Sequence, residues 1–236
     1  MNTGQITTIS FFRFNGINAY WGFNQMQWAM RKLKHVPGLE FSRYMGSGGK
    51  KGFSKTVNFN VYALLCVWKS EAAALEFFKK SSTYAEFEHR SEETWTIYMA
   101  TTRAIGAWSK ENPFRDFEPY QGGPVAVITR ATIKWRFLFK FWKYVPSVSA
   151  TLDQQEGLLF AIGIGEYPWF MQATFSLWKD YESVKKYAYK THHHSEVVKK
   201  TRELGWYAEE MFINFTPLKS TGSWGGNSPL DPYLGE

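Results

Sequence analysis

The sequence predicts an α+β protein built from two diverged copies of one module fused in tandem. Three observations carry this. Landmark segments recur in the same order in the two halves of the 236-residue chain, and such self-similarity is the signature of a duplicated unit. Short runs alternate β-branched and aromatic residues with polar ones, which marks strands. Between them lie segments whose apolar residues keep the 3.6-residue period of helices.

Each copy reads as strand, long helix, strand, strand, helix pair, strand. The opening strands hold Phe11–Phe14 and Val127–Arg130, and His35-Val36-Pro37 and Tyr144-Val145-Pro146 follow the long helices. Phe41–Gly49 is answered by Phe160–Gly165. Val67-Trp68-Lys69-Ser70 and Leu177-Trp178-Lys179-Asp180 begin strand-to-helix passages, each leading into about twenty residues of helical period. Trp95 before Ile97-Tyr98-Met99 corresponds to Trp206 before Met211-Phe212-Ile213, and Gly106-Ala107-Trp108-Ser109 to Gly222-Ser223-Trp224-Gly225. That order of elements is ferredoxin-like, and two such sheets packed face to face make a dimeric α+β barrel, here as a pseudo-dimer with helices outside. A Pro- and Gly-rich linker between Pro113 and Pro124 divides the chain into a first repeat at 1–116 and a second at 117–236.

Composition narrows the function classes. With 44% hydrophobic and 19% aromatic residues against 21% charged, the chain has apolar area for a core. The net charge of +7 is dispersed, no Lys/Arg tract of five appears, and no nucleic-acid-binding signature is present, so nucleic acid is not the expected partner. The longest apolar runs, Val61–Trp68 and Gly157–Ile164, fall short of the ~18 residues a bilayer span requires. Nothing at the N-terminus reads as a signal peptide, and the expected location is cytoplasmic. Cys66, the lone cysteine, lies in an apolar run and is expected to pack as a small hydrophobe. Gly46-Ser47-Gly48-Gly49-Lys50-Lys51 lacks the spacing of a phosphate loop; it and Gly163-Ile164-Gly165-Glu166 are expected to be tight strand connections. Over Lys134–Tyr144, Arg136, Lys140 and Lys143 recur on one helical face and Phe137, Leu138, Phe141 and Trp142 on another. Such a helix packs on the sheet, docks an acidic electron donor, or contacts a lipid surface.

Several segments together resemble the spheroidene monooxygenase family of carotenoid pathways, over nearly the whole chain. They are Phe12-Arg13-Phe14, Met45-Gly46-Ser47-Gly48, Gly106-Ala107-Trp108-Ser109 with Pro113-Phe114, and Thr129-Arg130-Ala131-Thr132. To these add Phe141-Trp142, Val145-Pro146, Ile162-Gly163-Ile164-Gly165-Glu166, and Trp224 with Ser228-Pro229-Leu230. The resemblance implies a haem b oxygenase fed by a ferredoxin-type donor, hydroxylating a long apolar substrate such as a carotenoid. The many Lys, Phe and Tyr replacements and the His192-His193-His194 run depart from the family pattern, and the substrate is the property that transfers least.

A haem needs an axial donor, and histidine is the commonest among His, Cys and Tyr. Of five histidines, His35 lies near a helix end and His89 in a charged stretch, so both are expected at the surface. In a helix starting near Thr191, His194 shares a face with Val197 and Val198, whereas His192 lies beside Ser195 and Glu196. The family's histidine followed two residues later by glutamate is matched by His194 and Glu196. His194 is therefore the expected iron ligand, with His193 as the other choice and a non-ligating histidine as the plain alternative. Ungapped alignment of Trp68 with Trp178 sets Tyr84 opposite His194, which predicts one haem per chain. Glu196 or Glu166 is the candidate carboxylate partner of the imidazole. Arg13 and Arg130, read as occupying matching strand positions, are the candidate cationic residues on the oxygen side, or else strand-edge salt-bridge residues. Trp108 and Trp224 either wall a haem or substrate pocket or plug the core. Fused barrels of this kind also resemble haem-dependent aldoxime dehydratases, and a carrier of haem or of another hydrophobic ligand is the non-enzymatic alternative.

Overall fold

The computed structural model describes residues 4–49, 56–143, 155–190 and 204–234. The first half contains β1 (Ile6–Arg13), α1 (Ile17–Leu33), β2 (Leu39–Gly48), β3 (Val57–Trp68), α2 (Glu71–Lys80), α3 (Ser82–Arg90) and β4 (Glu93–Gly106). The second half contains β5 (Val125–Ile133), a 3-10 turn at Trp135–Phe137 that leads into α4 (138–143), β6 (Leu158–Tyr167), β7 (Met171–Trp178), α5 (Tyr181–Lys190) and β8 (Tyr207–Gly222). The matched strand-to-helix passages become matched helix caps. Ser70 Oγ accepts the Ala73 amide at 3.3 Å to start α2, and Asp180 Oδ1 accepts the Ser183 amide at 2.7 Å to start α5.

All eight strands pair antiparallel in one closed ring, β1-β3-β2-β6-β7-β5-β8-β4. Both halves show the same internal order, β4-β1-β3-β2 and β8-β5-β7-β6. Two seams join them. The long one pairs β4 with β8 from Trp95↔Gly222 to Gly106↔Met211; the short one pairs β2 with β6 at Gly46↔Gly165 and Ser47↔Ile164. Closure pairs β4 with β8 along most of their length, while β2 and β6 meet over only two residue pairs. Gly46–Gly48 and Gly163–Gly165 therefore lie inside strands rather than in the connections expected of them, because the short seam needs backbones with small side chains.

Three apolar layers follow from the alternation. Ile9, Phe11, Trp95, Ile97, Phe175 and Ile213 fill the barrel interior. Phe12, Tyr44, Leu64 and Tyr98 point outward from the first-half sheet against Ala29, Leu33, Phe77 and Tyr84 of its helices. Ile133, Phe141, Trp142 and Trp206 form a smaller cluster, with Phe137 and Leu138 packed on it. The basic-and-apolar division expected for the 134–144 segment is thus present in its described part, where Arg136, Lys140 and Lys143 are exposed. Each large apolar side chain so buried contributes roughly 1.5–3 kcal/mol. Cys66 is buried in β3 and burial pushes its thiol well up, as a packed hydrophobe requires. Among the described residues, no helix is long and apolar enough to cross a membrane.

Strand register revises two of the landmark matches. Trp68 pairs with Ile6 and Trp178 with Val125, so Phe11 corresponds to Arg130 and Arg13 to Thr132; the two arginines are offset by one turn of the pleat. Phe11 pairs with Trp95 and Arg130 with Met211, so Met211, not Trp206, is the counterpart of Trp95. Trp206 instead precedes β8 and stacks on Phe137 at 6.4 Å. Aromatic residues suit every helix–sheet junction, so shared residue type did not guarantee shared position.

At the two ends of the long seam, Gly106 (φ 101°) and Gly222 (φ 79°) adopt left-handed backbone conformations. An added Cβ would stand 2.1 Å from the Glu210 carbonyl oxygen or 2.0 Å from that of Thr94. Gly222→Ala is expected to cost about 1–3 kcal/mol and lower the thermal midpoint by about 2–4 °C for each of them. Differential scanning calorimetry checks this; an unchanged midpoint would show that the seam yields without strain.

Candidate functional site

In an antiparallel ring of this order β1 and β5 run to opposite ends of the barrel, and the two ends differ in chemistry. At the end of β5, Arg130, with its side chain 2% exposed, pairs with Glu209 and lies 3.5 Å from Glu166. Arg43 reaches Glu166 at 2.9 Å and donates to Ser109 Oγ at 2.7 Å. Trp108 Nε1 donates to Glu166 at 2.8 Å. Glu209 also accepts the amides of Ser109 (2.9 Å) and Lys110 (2.7 Å). Burial disfavours ionisation of Glu209, but those amides and Arg130 outweigh it and hold the carboxyl below its ordinary value. Burial also lowers Arg43, opposed by Glu166 and reinforced by the charge on Arg130. The result is a closed ionic plug.

At the other end, Glu93 plays the part of Glu209. It accepts the Gly226 amide at 2.9 Å and the Ser223 hydroxyl at 3.2 Å, with Arg13 3.3 Å away. Burial again opposes ionisation and those donors again prevail, holding the carboxyl low. Arg13 stacks over Trp224 at 4.6 Å, as Arg130 does over Trp108 at 5.6 Å. The rest of the plug is missing. By register, Phe11 stands where Arg130 does, Ile162 where Arg43 does, and Ser47 where Glu166 does. Without that network the end is an open cavity of about 760 Å³ bordered by Arg13, Asn15, Asn60, Phe160, Ile162 and Trp224. Phe160, in its lining, meets Phe11 and Trp95 edge to face at 5.4 and 5.2 Å, and those two rings stack on each other at 5.9 Å.

The outward faces of the two sheets differ as sharply. On the first, Phe12, Tyr44, Leu64 and Tyr98 are buried under α1–α3. At the same register positions the second sheet carries Ala131, Gly163, Thr174 and Asn214. Gln172 and Ser176 likewise replace Tyr62 and Cys66. Thr216 Oγ1, on the same outward face, is buried without a hydrogen-bond partner among the described residues. This face carries smaller and more polar side chains where its counterpart is packed with rings.

The residues anticipated from sequence fall into place unevenly. His192, His193, His194 and Glu196 lie outside the described residues. His35 and His89 are exposed, as expected. Tyr84, which alignment sets opposite His194, is buried in the helix–sheet layer and its hydroxyl meets Thr96 Oγ1 at 3.1 Å, on the outward face of β4. Glu166 is not available as a partner for an imidazole, because Arg43, Arg130 and Trp108 already share it. Arg13 and Arg130 both turn into the barrel; Arg13 borders the open cavity, whereas Arg130 is buried in the ionic plug. Trp224 lines that cavity, whereas Trp108 is fully buried in the interior core. Among the described residues no group of three His, Cys, Asp or Glu side chains could hold a metal ion. Sequence reasoning missed Arg43, Glu93 and Glu209. The likeness of the two halves offered a signal for the last two, since each stands thirteen residues before Gly106 or Gly222.

Comparison with known proteins adds two findings, although no family model matches the chain. It is 33% identical over 229 residues to a spheroidene monooxygenase of Rhodobacter capsulatus, covering 95% of each chain. It is 32% identical over 233 residues to one of Cereibacter sphaeroides, covering 98% of this chain and 72% of that protein. In fold it is similar to an aldoxime dehydratase, with a TM-score of 0.60 at 9% identity over 91% of this chain and 82% of the other.

The two ends of the barrel are separable by mutation. Arg130→Met removes the buried cation shared by Glu209 and Glu166 and is expected to cost about 3–5 kcal/mol in urea unfolding. Arg13→Met, on a side chain 39% exposed, is expected to cost under about 1 kcal/mol. Equal losses would show that the plug carries no special weight. Glu93 and Glu209 are held below their unfolded-state values, so the stability they add is present above an unfolded carboxyl value of about 4.3 and is lost as pH falls through their lower folded values. The thermal midpoint of the wild type should therefore fall as pH drops below about 4.3, more steeply than that of Glu209→Gln; identical acid limbs would refute the linkage.

Proposed function

The chain belongs to the spheroidene monooxygenase family, and from that premise we propose that it hydroxylates a long apolar substrate such as a carotenoid, using haem b and a ferredoxin-type electron donor. The single observation that carries the haem reading is the stripped outward face of the second sheet, where Ala131, Gly163, Thr174 and Asn214 replace Phe12, Tyr44, Leu64 and Tyr98. We read the two halves as diverged copies of one module, of which only the second has cleared this space. One haem per chain follows. His194 is assigned as the axial ligand, ahead of His193, because its counterpart Tyr84 is directed at the sheet.

When bound, haem supplies an iron centre that reduces and activates dioxygen for C–H oxidation. The chain's own residues shape what happens around it. The small side chains of β5, β6 and β7 let a flat ring system lie close to the backbone. Thr174, Asn214 and Thr216 present polar groups to that face, and the orphaned Thr216 hydroxyl is placed to hold a proton or a hydrogen bond there. Phe137, Phe141, Trp142 and Trp206 close the neighbouring layer with apolar area that excludes water and favours an apolar substrate. Neither arginine faces this site: Arg130 is spent on Glu209 and Glu166, and Arg13 borders the open barrel-end cavity beside Glu93.

Visible absorption spectra, oxidised and reduced, of protein expressed with haem supplied test this reading. The wild type should show a Soret band with histidine-type features. His194→Ala should lose it, and so should Gly163→Tyr, which restores the side chain of the first half; circular dichroism confirms that both variants fold. A wild type that refuses haem, or variants that both retain it unchanged, would overturn the assignment. Turnover of an aldoxime without consumption of reductant would replace oxygenation by dehydration.

A further inference from the structure

We propose that the face formed by α4 and the β6–β7 hairpin docks on an anionic lipid bilayer. Trp135 and Phe139, one helical turn apart at the start of α4, are 80% and 93% exposed. Their buried neighbours Phe141 and Trp142 fix the segment on the protein, so the exposed rings project from a firm base. Beside them Arg136, Lys140 and Lys143 are also exposed, and no Asp or Glu occurs anywhere between residues 119 and 152.

The apolar surface continues past α4. Trp142 Nε1 donates to the Trp169 carbonyl at 3.2 Å and the Ile133 amide to the Phe170 carbonyl at 2.8 Å, which ties the β6–β7 hairpin to the same face. At the tip of that hairpin Tyr167, Trp169 and Phe170 are 64%, 47% and 40% exposed. Trp169 holds φ 68°, a left-handed conformation uncommon for a bulky side chain. Behind the tip, a groove of about 310 Å³ runs between Phe23, Phe59, Tyr62, Tyr167 and Trp169 on the outer side of the short seam.

Aromatic rings backed by lysine and arginine match the interface of an anionic bilayer, where rings sit at headgroup depth and each cation near the surface adds attraction. A contiguous exposed apolar patch marks an interaction site rather than ordinary surface. A second copy of the chain is the poorer fit, because a twofold contact would bring the cations of two α4 segments together. That the groove then admits apolar substrate from the bilayer rests on the monooxygenase reading; the docking itself does not.

Co-sedimentation of the full chain with vesicles tests the docking, and reads neither haem nor turnover. The wild type should pellet with phosphatidylcholine vesicles containing phosphatidylglycerol and bind pure phosphatidylcholine more weakly, with added salt narrowing the difference. Trp135→Ser/Phe139→Ser should bind at least about tenfold more weakly, and Arg136→Gln/Lys140→Gln/Lys143→Gln about fivefold per charge removed. All five positions are exposed, and circular dichroism checks that the variants fold. A wild type that stays in the supernatant with both vesicle types overturns the proposal, as do two variants that bind like the wild type. So does a concentration-dependent dimer in light scattering that Trp135→Ser/Phe139→Ser abolishes, which would make the face a contact between copies.

Discussion

Closure of the eight-stranded ring is the constraint on which the rest of this structure depends. Once β4 pairs with β8 and β2 with β6, the ring is closed and its interior becomes an apolar space that side chains must fill. The glycines at the seams serve that closure: Gly106 and Gly222 pass within contact of the opposite backbone, and Gly46 faces Gly165 where the two halves meet. With the middle of the barrel filled, space for a ligand remains only at its two ends or on its outward faces.

The halves divide these possibilities between them. One barrel end is shut by Arg43, Glu166, Arg130, Glu209 and Trp108, a network whose charges are mutually paired and backed by amide donors. The other keeps the Glu93–Arg13–Trp224 part of the pattern but substitutes Phe11, Ile162 and Ser47 for the rest, and stays open. On the outside the division is reversed. The first sheet is closed by stacked rings, such as Tyr44 on Tyr62 at 5.4 Å, while the second keeps small and polar residues. The two halves share one strand order, and rings buried on the outside of one against small and polar residues on the other make a single asymmetric molecule.

The fold was largely legible because it rests on local patterns. The apolar run Val61–Trp68 and the strand-to-helix passages at Val67–Ser70 and Leu177–Asp180 each say where an element begins or ends, and each stands where those patterns put it. The site was legible only in part. Arg130 stood out as a charged residue in a strand, but its carboxylates lie 36 and 79 residues downstream, and no local rule links them. Glu166 looked like a free carboxylate because nothing nearby in the chain reveals Arg43 or Trp108 converging on it. The match of Arg13 with Arg130 failed by two residues, a shift that leaves both on the inner face and so leaves the alternation pattern unchanged.

The amino-acid sequence by itself determined the α+β class, the burial of Cys66, the division of the α4 segment into basic and apolar faces, and membership of the monooxygenase family. Each is written in short-range periodicity, capping chemistry or direct identity. The tertiary structure alone decided which barrel end is plugged and which is open, that Trp108 is core while Trp224 borders a cavity, and that small and polar residues share the outward face of the second sheet. Those properties depend on register between strands distant in the chain, where a shift of two residues exchanges partners without disturbing any local pattern.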